Sequence, residues 1–282
     1  MGKFSTILEK SGLAVELPVK TTISPRNNGV YRENDNTQPI RKSSWDERFL
    51  EVMQSSNHTA EAFRMLRSRI LHPDDEGRIT KTIMVTSSAP SEGKSFVSCN
   101  LGVSIAQGLD QHALIVDCDL RRPTVAKLFG LPTNGQKGLA DYLKDTTCEL
   151  PELLQRTSLQ KLSILPSGKP PENPAELLAS SRMMKLVHEL SGRYSDRFII
   201  FDSPPFQVAS ESIVLSREVD GVVLVVGYGK SDRNLIKKMV EVIDREKIIG
   251  VVFNGMKSNI LQERVLDAYG SYGQYYSYTQ KQ

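Results

Sequence analysis

The chain has 282 residues, with 36 Lys and Arg against 33 Asp and Glu, a net charge of +3, and 39% hydrophobic residues. This is ample for a buried core, and the balance is that of a soluble globular body rather than a disordered or fibrous one. No apolar run approaches the ~20 residues that span a bilayer, no secretory pattern opens the chain, and a near-neutral body argues against nucleic-acid partners.

The charge is unevenly placed. Residues 1–45 hold seven bases and four acids, and Pro18, Pro25 and Pro39 break them up, so they read as a flexible basic extension. From Trp45 to Leu71 the pattern is helical, as two helices parted near Ser55–Asn57. Strand and helix then alternate. Thr80–Thr86 predicts a strand, Ser95–Gln107 a helix and Ala113–Asp117 a strand, followed by short helices around Thr124–Phe129 and Leu139–Leu143. Lys161–Leu165 reads as a strand and Pro174–Leu190 as one long helix opened by its proline. Phe198–Asp202, Val222–Val226 and Ile248–Phe253 are further short apolar strands. A helix whose apolar face carries Leu235, Ile236, Met239, Val240 and Ile243 stands between the last two. Strands apolar on both faces, alternating with amphipathic helices, predict an α/β fold: a mostly parallel sheet covered by helices on both sides. The expected divisions are 1–45, a core over 46–268, and a tail over 269–282. That tail has a single charge, Lys281, and five of the nine tyrosines: Tyr269, Tyr272, Tyr275, Tyr276 and Tyr278. Cys99, Cys118 and Cys148 show no pairing or metal spacing, which favours a reducing, cytoplasmic setting.

Gly93-Lys94-Ser95 follows a strand and opens a helix, the context in which a Gly-Lys-Ser turn binds phosphate. Backbone N–H groups over Ser88, Ala89, Pro90, Ser91, Glu92, Gly93, Lys94, Ser95 and Phe96 (the prolyl nitrogen excepted) would cradle the oxygens, aided by the positive end of the helix. Lys94 would reach the outer phosphates of a nucleoside triphosphate and the Ser95 hydroxyl would ligate Mg²⁺. Ser88 stands where the usual first glycine would be. Asp117 and Asp119 end one apolar strand and Asp202 another, where open α/β sheets bind ligands. With Ser95 they form the expected magnesium set, some through water, and Lys94, Asp117, Asp119 and Asp202 are the expected catalytic residues.

These motifs jointly resemble the bacterial tyrosine kinases. Thr86–Ser95 is similar to that family's Walker A, Leu114–Pro123 to its Walker A′, and Phe198–Pro205 to its Walker B; Leu128–Gly130, and Leu165–Gly168 followed by Asn173–Leu178, match further stretches. The resemblance covers about residues 57–282 and leaves the start of the chain outside it. It implies a P-loop core that uses ATP and Mg²⁺ to phosphorylate the C-terminal tyrosines of a neighbouring copy, with Asp117 the candidate base and Asp119 and Asp202 around the magnesium. Glu61, Arg64 and Arg67 form Glu-x-x-Arg-x-x-Arg within about 120° of helical arc, opposite Phe63, Leu66 and Ile70. As a plain sequence this is a solvated face with an i,i+3 ion pair; the resemblance makes it a ring-type subunit contact. Asn254 either contacts adenine or ends its strand. The family context further implies exopolysaccharide or capsule synthesis, a membrane-spanning co-polymerase that recruits and activates the chain at the inner face of the membrane, and a protein-tyrosine phosphatase that reverses the reaction.

Two other readings share these features. A Min/Par-type ATPase switch would carry a further lysine where Ala89 stands and often ends in an amphipathic helix rather than tyrosines. A non-catalytic scaffold of a polysaccharide assembly complex would not need Lys94 and all three aspartates.

Overall fold

The computed structural model describes residues 41, 44–47, 49, 58–73, 80–133, 135–193, 196–208 and 210–255. Its elements run in the order α1 (His58–Leu71), β1 (Thr82–Ser87), α2 (Lys94–Ala106), β2 (His112–Asp117), α3 (Val125–Leu128), α4 (Leu139–Lys144), α5 (Leu150–Leu153), β3 (Gln155–Arg156) and β4 (Leu162–Leu165). They continue with α6 (Pro174–Leu178), α7 (Ser181–Arg193), β5 (Arg197–Asp202), α8 (Glu211–Glu218), β6 (Gly221–Gly227), α9 (Arg233–Val242) and β7 (Ile248–Asn254).

The seven strands form one sheet in the order β3-β4-β2-β5-β1-β6-β7, parallel except where β3 joins β4. Alternation along each strand divides the core in two. Ile83, Val85, Ile115 and Ile200 point to the face covered by α1 and α2, where Phe63, Val97, Leu101 and Ile105 meet them. Met84, Leu114, Val116 and Phe201 point to the other face and pack on Leu139, Leu186, Leu190, Leu215 and Met239. Helix α2 is buried along nearly its whole length, so its apolar residues show no clean stripe. The predicted α/β sheet with helices on both faces is the fold found.

Several expectations are corrected by the packing. The helix expected over Pro174–Leu190 is two helices, because the chain turns at Ala179–Ser180 and Ser180 Oγ accepts from Met183 N at 3.2 Å to start the second. Helices α5 and α8 and the edge strand β3 carry no pattern long enough to predict. β7 is not covered on both faces: Val251 and Phe253 are exposed, as befits a strand at the sheet edge. Trp45, placed by sequence at the end of the extension, is buried; its ring meets Phe129 edge-on at 4.9 Å, and Phe49 stacks between Phe96 and Phe129.

Strand order positions the site. β1, β5 and β2 are neighbours, and the register sets Asp117 directly beside Asp202 and Val85 beside Asp202. The carboxyl ends of three strands thus bring the 88–93 loop and two aspartates together, although 85 residues separate the aspartates in sequence.

Candidate active site

The loop from β1 to α2 turns through two left-handed residues, Ser91 (φ 64°) and Gly93 (φ 96°). Only glycine serves at the second, since a Cβ on Gly93 would run into the Asn254 side-chain amide. The reversal at Ser91 turns Glu92 beneath the loop, where it is buried and accepts from Ser88 Oγ at 2.9 Å, Ala89 N at 3.2 Å and Ser231 Oγ. Lys94 and Ser95 then occupy the first turn of the thirteen-residue α2. Backbone N–H groups that a helix cannot use internally face outward there, beside the positive helix end.

The aspartates stand across from this turn. Asp119 Oδ2 pairs with Lys94 Nζ at 2.8 Å, and its Oδ1 accepts from Arg122 N at 3.0 Å. Asp117 lies behind it, fully buried: Oδ1 accepts from Asp119 N at 3.2 Å, and Oδ2 from Thr124 N at 3.2 Å and Val125 N at 3.0 Å. Asp202 Oδ1 accepts from Ser98 Oγ at 3.0 Å, while its Oδ2 is buried without a hydrogen-bond partner. Burial, then the neighbouring Asp202, pushes Asp117 well above the ordinary carboxylate range, and burial raises Asp202 as well. Burial alone would lower Lys94, but Asp202 and Asp119 outweigh it and hold the ammonium charged. Burial, with the aspartates adding, also drives the Cys99 and Cys118 thiols up, so neither is a reactive thiolate.

Between loop and aspartates lies a cleft of about 480 Å³, lined by Lys94, Ser95 and Asp119 among the expected catalytic and metal residues, but not by Asp117 or Asp202. The aspartate side of the cleft also presents Arg121 and Arg122, which sequence left unassigned. Arg121 is held by Glu211, whose Oε1 accepts from Nε at 3.2 Å and from Nη2 at 3.1 Å. The arginine was visible in the Asp-Cys-Asp-Leu-Arg-Arg-Pro stretch. Its partner was not, since Glu211 lies 90 residues on with no motif of its own.

Three acids gather around Lys94, and the buried Oδ2 of Asp202, which has no hydrogen-bond partner, is an oxygen that a bound cation would satisfy. Among the described residues no three carboxylate, imidazole or thiol groups gather to hold a metal unaided. Ser95 and one or two of the acids would fit Mg²⁺, which would need phosphate and water for the rest of its shell.

Comparison with known proteins agrees with this geometry. Residues 83–273 match the CobQ/CobB/MinD/ParA nucleotide binding domain family. The chain is 33% identical over 244 residues to tyrosine-protein kinase YwqD of Bacillus subtilis, covering 86% of this chain and 98% of that protein. The chain belongs to the bacterial tyrosine kinases. Tyrosine-protein kinase etk of Escherichia coli is 30% identical over 253 residues, 88% of this chain but 34% of that longer protein. The solved kinase domain of Escherichia coli ETK superposes with a TM-score of 0.66 at 30% identity, covering 74% of this chain and 80% of that one.

The kinase's remaining expected site residues divide. Asn254 ends β7 and donates through Nδ2 to the Glu92 carbonyl at 2.9 Å, so it props the loop from behind. Glu61 and Arg64 pair at 2.5 Å on the exposed face of α1, but Arg67 leaves that face and donates to the Ser104 carbonyl on α2 at 2.6 Å. The three are thus not one free charged face. Tyr269, Tyr272, Tyr275, Tyr276 and Tyr278 lie outside the described residues, as does residues 1–40 of the expected extension. Among the described residues, no helix is long and apolar enough to cross a membrane.

Proposed function

We propose that this kinase transfers the γ-phosphoryl group of ATP to Tyr269, Tyr272, Tyr275, Tyr276 and Tyr278 of a neighbouring copy. The observation that carries the reading is the Lys94–Asp119 pair at the wall of a cleft between a helix N-terminus and a carboxylate cluster. Phosphoryl transfer demands positioning and charge neutralisation more than covalent chemistry, and this arrangement supplies both. The 88–95 loop and the start of α2 bind the phosphates, and Lys94 neutralises the transferring group. Asp119, at the wall, is the carboxylate that can meet the phenolic hydroxyl, and Asp117, the base implied by the family resemblance, lies buried behind it with both oxygens taken by backbone N–H groups. Mg²⁺, when bound at Ser95 and the acids, offsets phosphate charge and orients the transferring group.

The tyrosine-rich end is the acceptor because it pairs five phenols with one charge. Each modification adds ~1.5–2 negative charges, converting a nearly neutral segment into a strongly anionic one. Glu61 and Arg64 on the exposed face of α1 are available for a ring-type contact that delivers one copy's tail to the next cleft, with Arg67 anchoring that helix to α2. By the same family logic the kinase acts in polysaccharide synthesis or export at the inner face of the membrane, under a membrane-spanning activator and opposed by a phosphatase.

Purified chain incubated with labelled ATP and Mg²⁺ should place label on the tail, and Lys94→Met should not label itself. Mixing Lys94→Met chains with active copies whose five tail tyrosines are Phe tests transfer between copies, since label must then appear on the inactive chain. Absence of label from residues 269–278, with the activator present, would refute the reading.

A further inference from the structure

Glu92 is an unexpected residue for a phosphate-binding loop, since a carboxylate there opposes the anion the loop exists to hold. The fold removes the conflict by turning the side chain inward. The left-handed backbone at Ser91 sends Glu92 under the loop, where the residue is 2% exposed. One carboxylate oxygen, Oε1, takes the hydroxyls of Ser88 and Ser231; the other, Oε2, takes the Ala89 N–H. Ser231 is itself fixed in the β6–α9 turn, where its hydroxyl accepts from Gly227 N at 2.8 Å. From the opposite side the Glu92 carbonyl accepts Asn254 Nδ2 at 2.9 Å, and the Asn254 carbonyl accepts Tyr228 N at 2.8 Å. The loop is therefore tied at one residue to the carboxyl ends of β6 and β7, 139 and 162 positions away in sequence.

We infer that Glu92 is a positioning residue for nucleotide binding, and that Ser231 extends its action from outside the phosphate-binding motif. Together they hold the loop in the shape that phosphate requires before phosphate arrives. Without the carboxylate, the Ala89 N–H and two hydroxyls lose their common acceptor, and the strained turn at Ser91 loses the bonds that over-determine it. Ordering the loop must then be done by the ligand, which weakens its binding. The inference rests on the reading of this cleft as the ATP site and adds to it where the loop's rigidity comes from.

The test is calorimetric ATP–Mg²⁺ binding by the full chain, alongside steady-state KM and kcat and melting without nucleotide, for Glu92→Ala, Glu92→Gln and Ser231→Ala. Glu92→Ala should weaken ATP binding about tenfold or more, as expected for losing hydrogen bonds to a charged group, and raise KM more than it lowers kcat. Ser231→Ala, which removes one of the three bonds, should weaken binding roughly threefold. Glu92→Gln keeps an acceptor for Ala89 N and lets both hydroxyls reorient, so it should bind more tightly than Glu92→Ala. Wild-type affinity in Glu92→Ala and Ser231→Ala with only a lowered melting temperature would overturn the inference and leave a purely structural network. No gain of Gln over Ala would overturn it equally. Should Glu92→Ala not fold, Ser231→Ala decides alone. Failure of the wild-type chain to bind ATP would instead refute the site itself.

Discussion

The two walls of the cleft treat buried carboxylates in opposite ways. On the loop wall, Glu92 has both oxygens bonded and its carbonyl bonded as well. Behind the aspartate wall, Asp117 and Asp202 lie beside each other and both are pushed toward the neutral form; Asp117 has both oxygens bonded, but one oxygen of Asp202 has no hydrogen-bond partner. A buried anion without full compensation costs stability, and a fold tolerates it where a ligand supplies the missing charge. Under the proposed function, the difference separates a frame that folding finishes from a site left for substrate and metal to finish.

Substitutions can break that distinction, and the largest effect should come from Lys94→Met. Losing the one cation shared by both walls should reduce tail labelling on the order of a thousandfold. Asp202→Asn should come next, lowering transfer by about a hundredfold. Its melting temperature without nucleotide should stay level or rise, because the change relieves the crowding of Asp202 against the buried Asp117 and the cost of burying a carboxylate oxygen that has no hydrogen-bond partner. A large thermal loss in that variant would erase the contrast between the walls.

Asp117→Asn sharpens the picture, because this aspartate belongs to both classes. It should lose activity and also melt roughly 5 °C lower, since an amide NH₂ then faces backbone N–H groups that the carboxylate had accepted. Arg121→Ala should lower the melting temperature by a few degrees, since it strands the buried Glu211 carboxylate that the guanidinium holds. Smallest is Arg64→Ala. Its pair with Glu61 is solvent-exposed, so monomer melting should move little, while sedimentation should show a smaller assembly if α1 forms the proposed subunit contact.

Much of this was legible in the primary structure because it depends on contiguous residues. The order of strands and helices, the 88–95 loop and the two aspartate-ended strands all follow from local pattern, and Asp117 and Asp202 could be named as partners from their place at strand ends. Boundaries failed where packing overrides propensity, as at the break between α6 and α7. The tail's tyrosines are conspicuous in composition and lie outside the described residues, so their role rests on sequence and on the proposed chemistry.

What sequence alone determined is the chemistry of each motif: a phosphate-binding turn, a lysine, three carboxylates and a cluster of phenols. Tertiary structure alone decided how the motifs differ in state. Strand order put β5 between β1 and β2 and so set Asp202 against Asp117. It gave Arg121 its partner in Glu211, turned Arg67 from a surface charge into a bond between α1 and α2, and made Asn254 a prop for the loop. Each of these pairs is separated by tens to more than a hundred residues. Burial and hydrogen-bond satisfaction are properties of surroundings assembled from distant segments, and no local pattern encodes them.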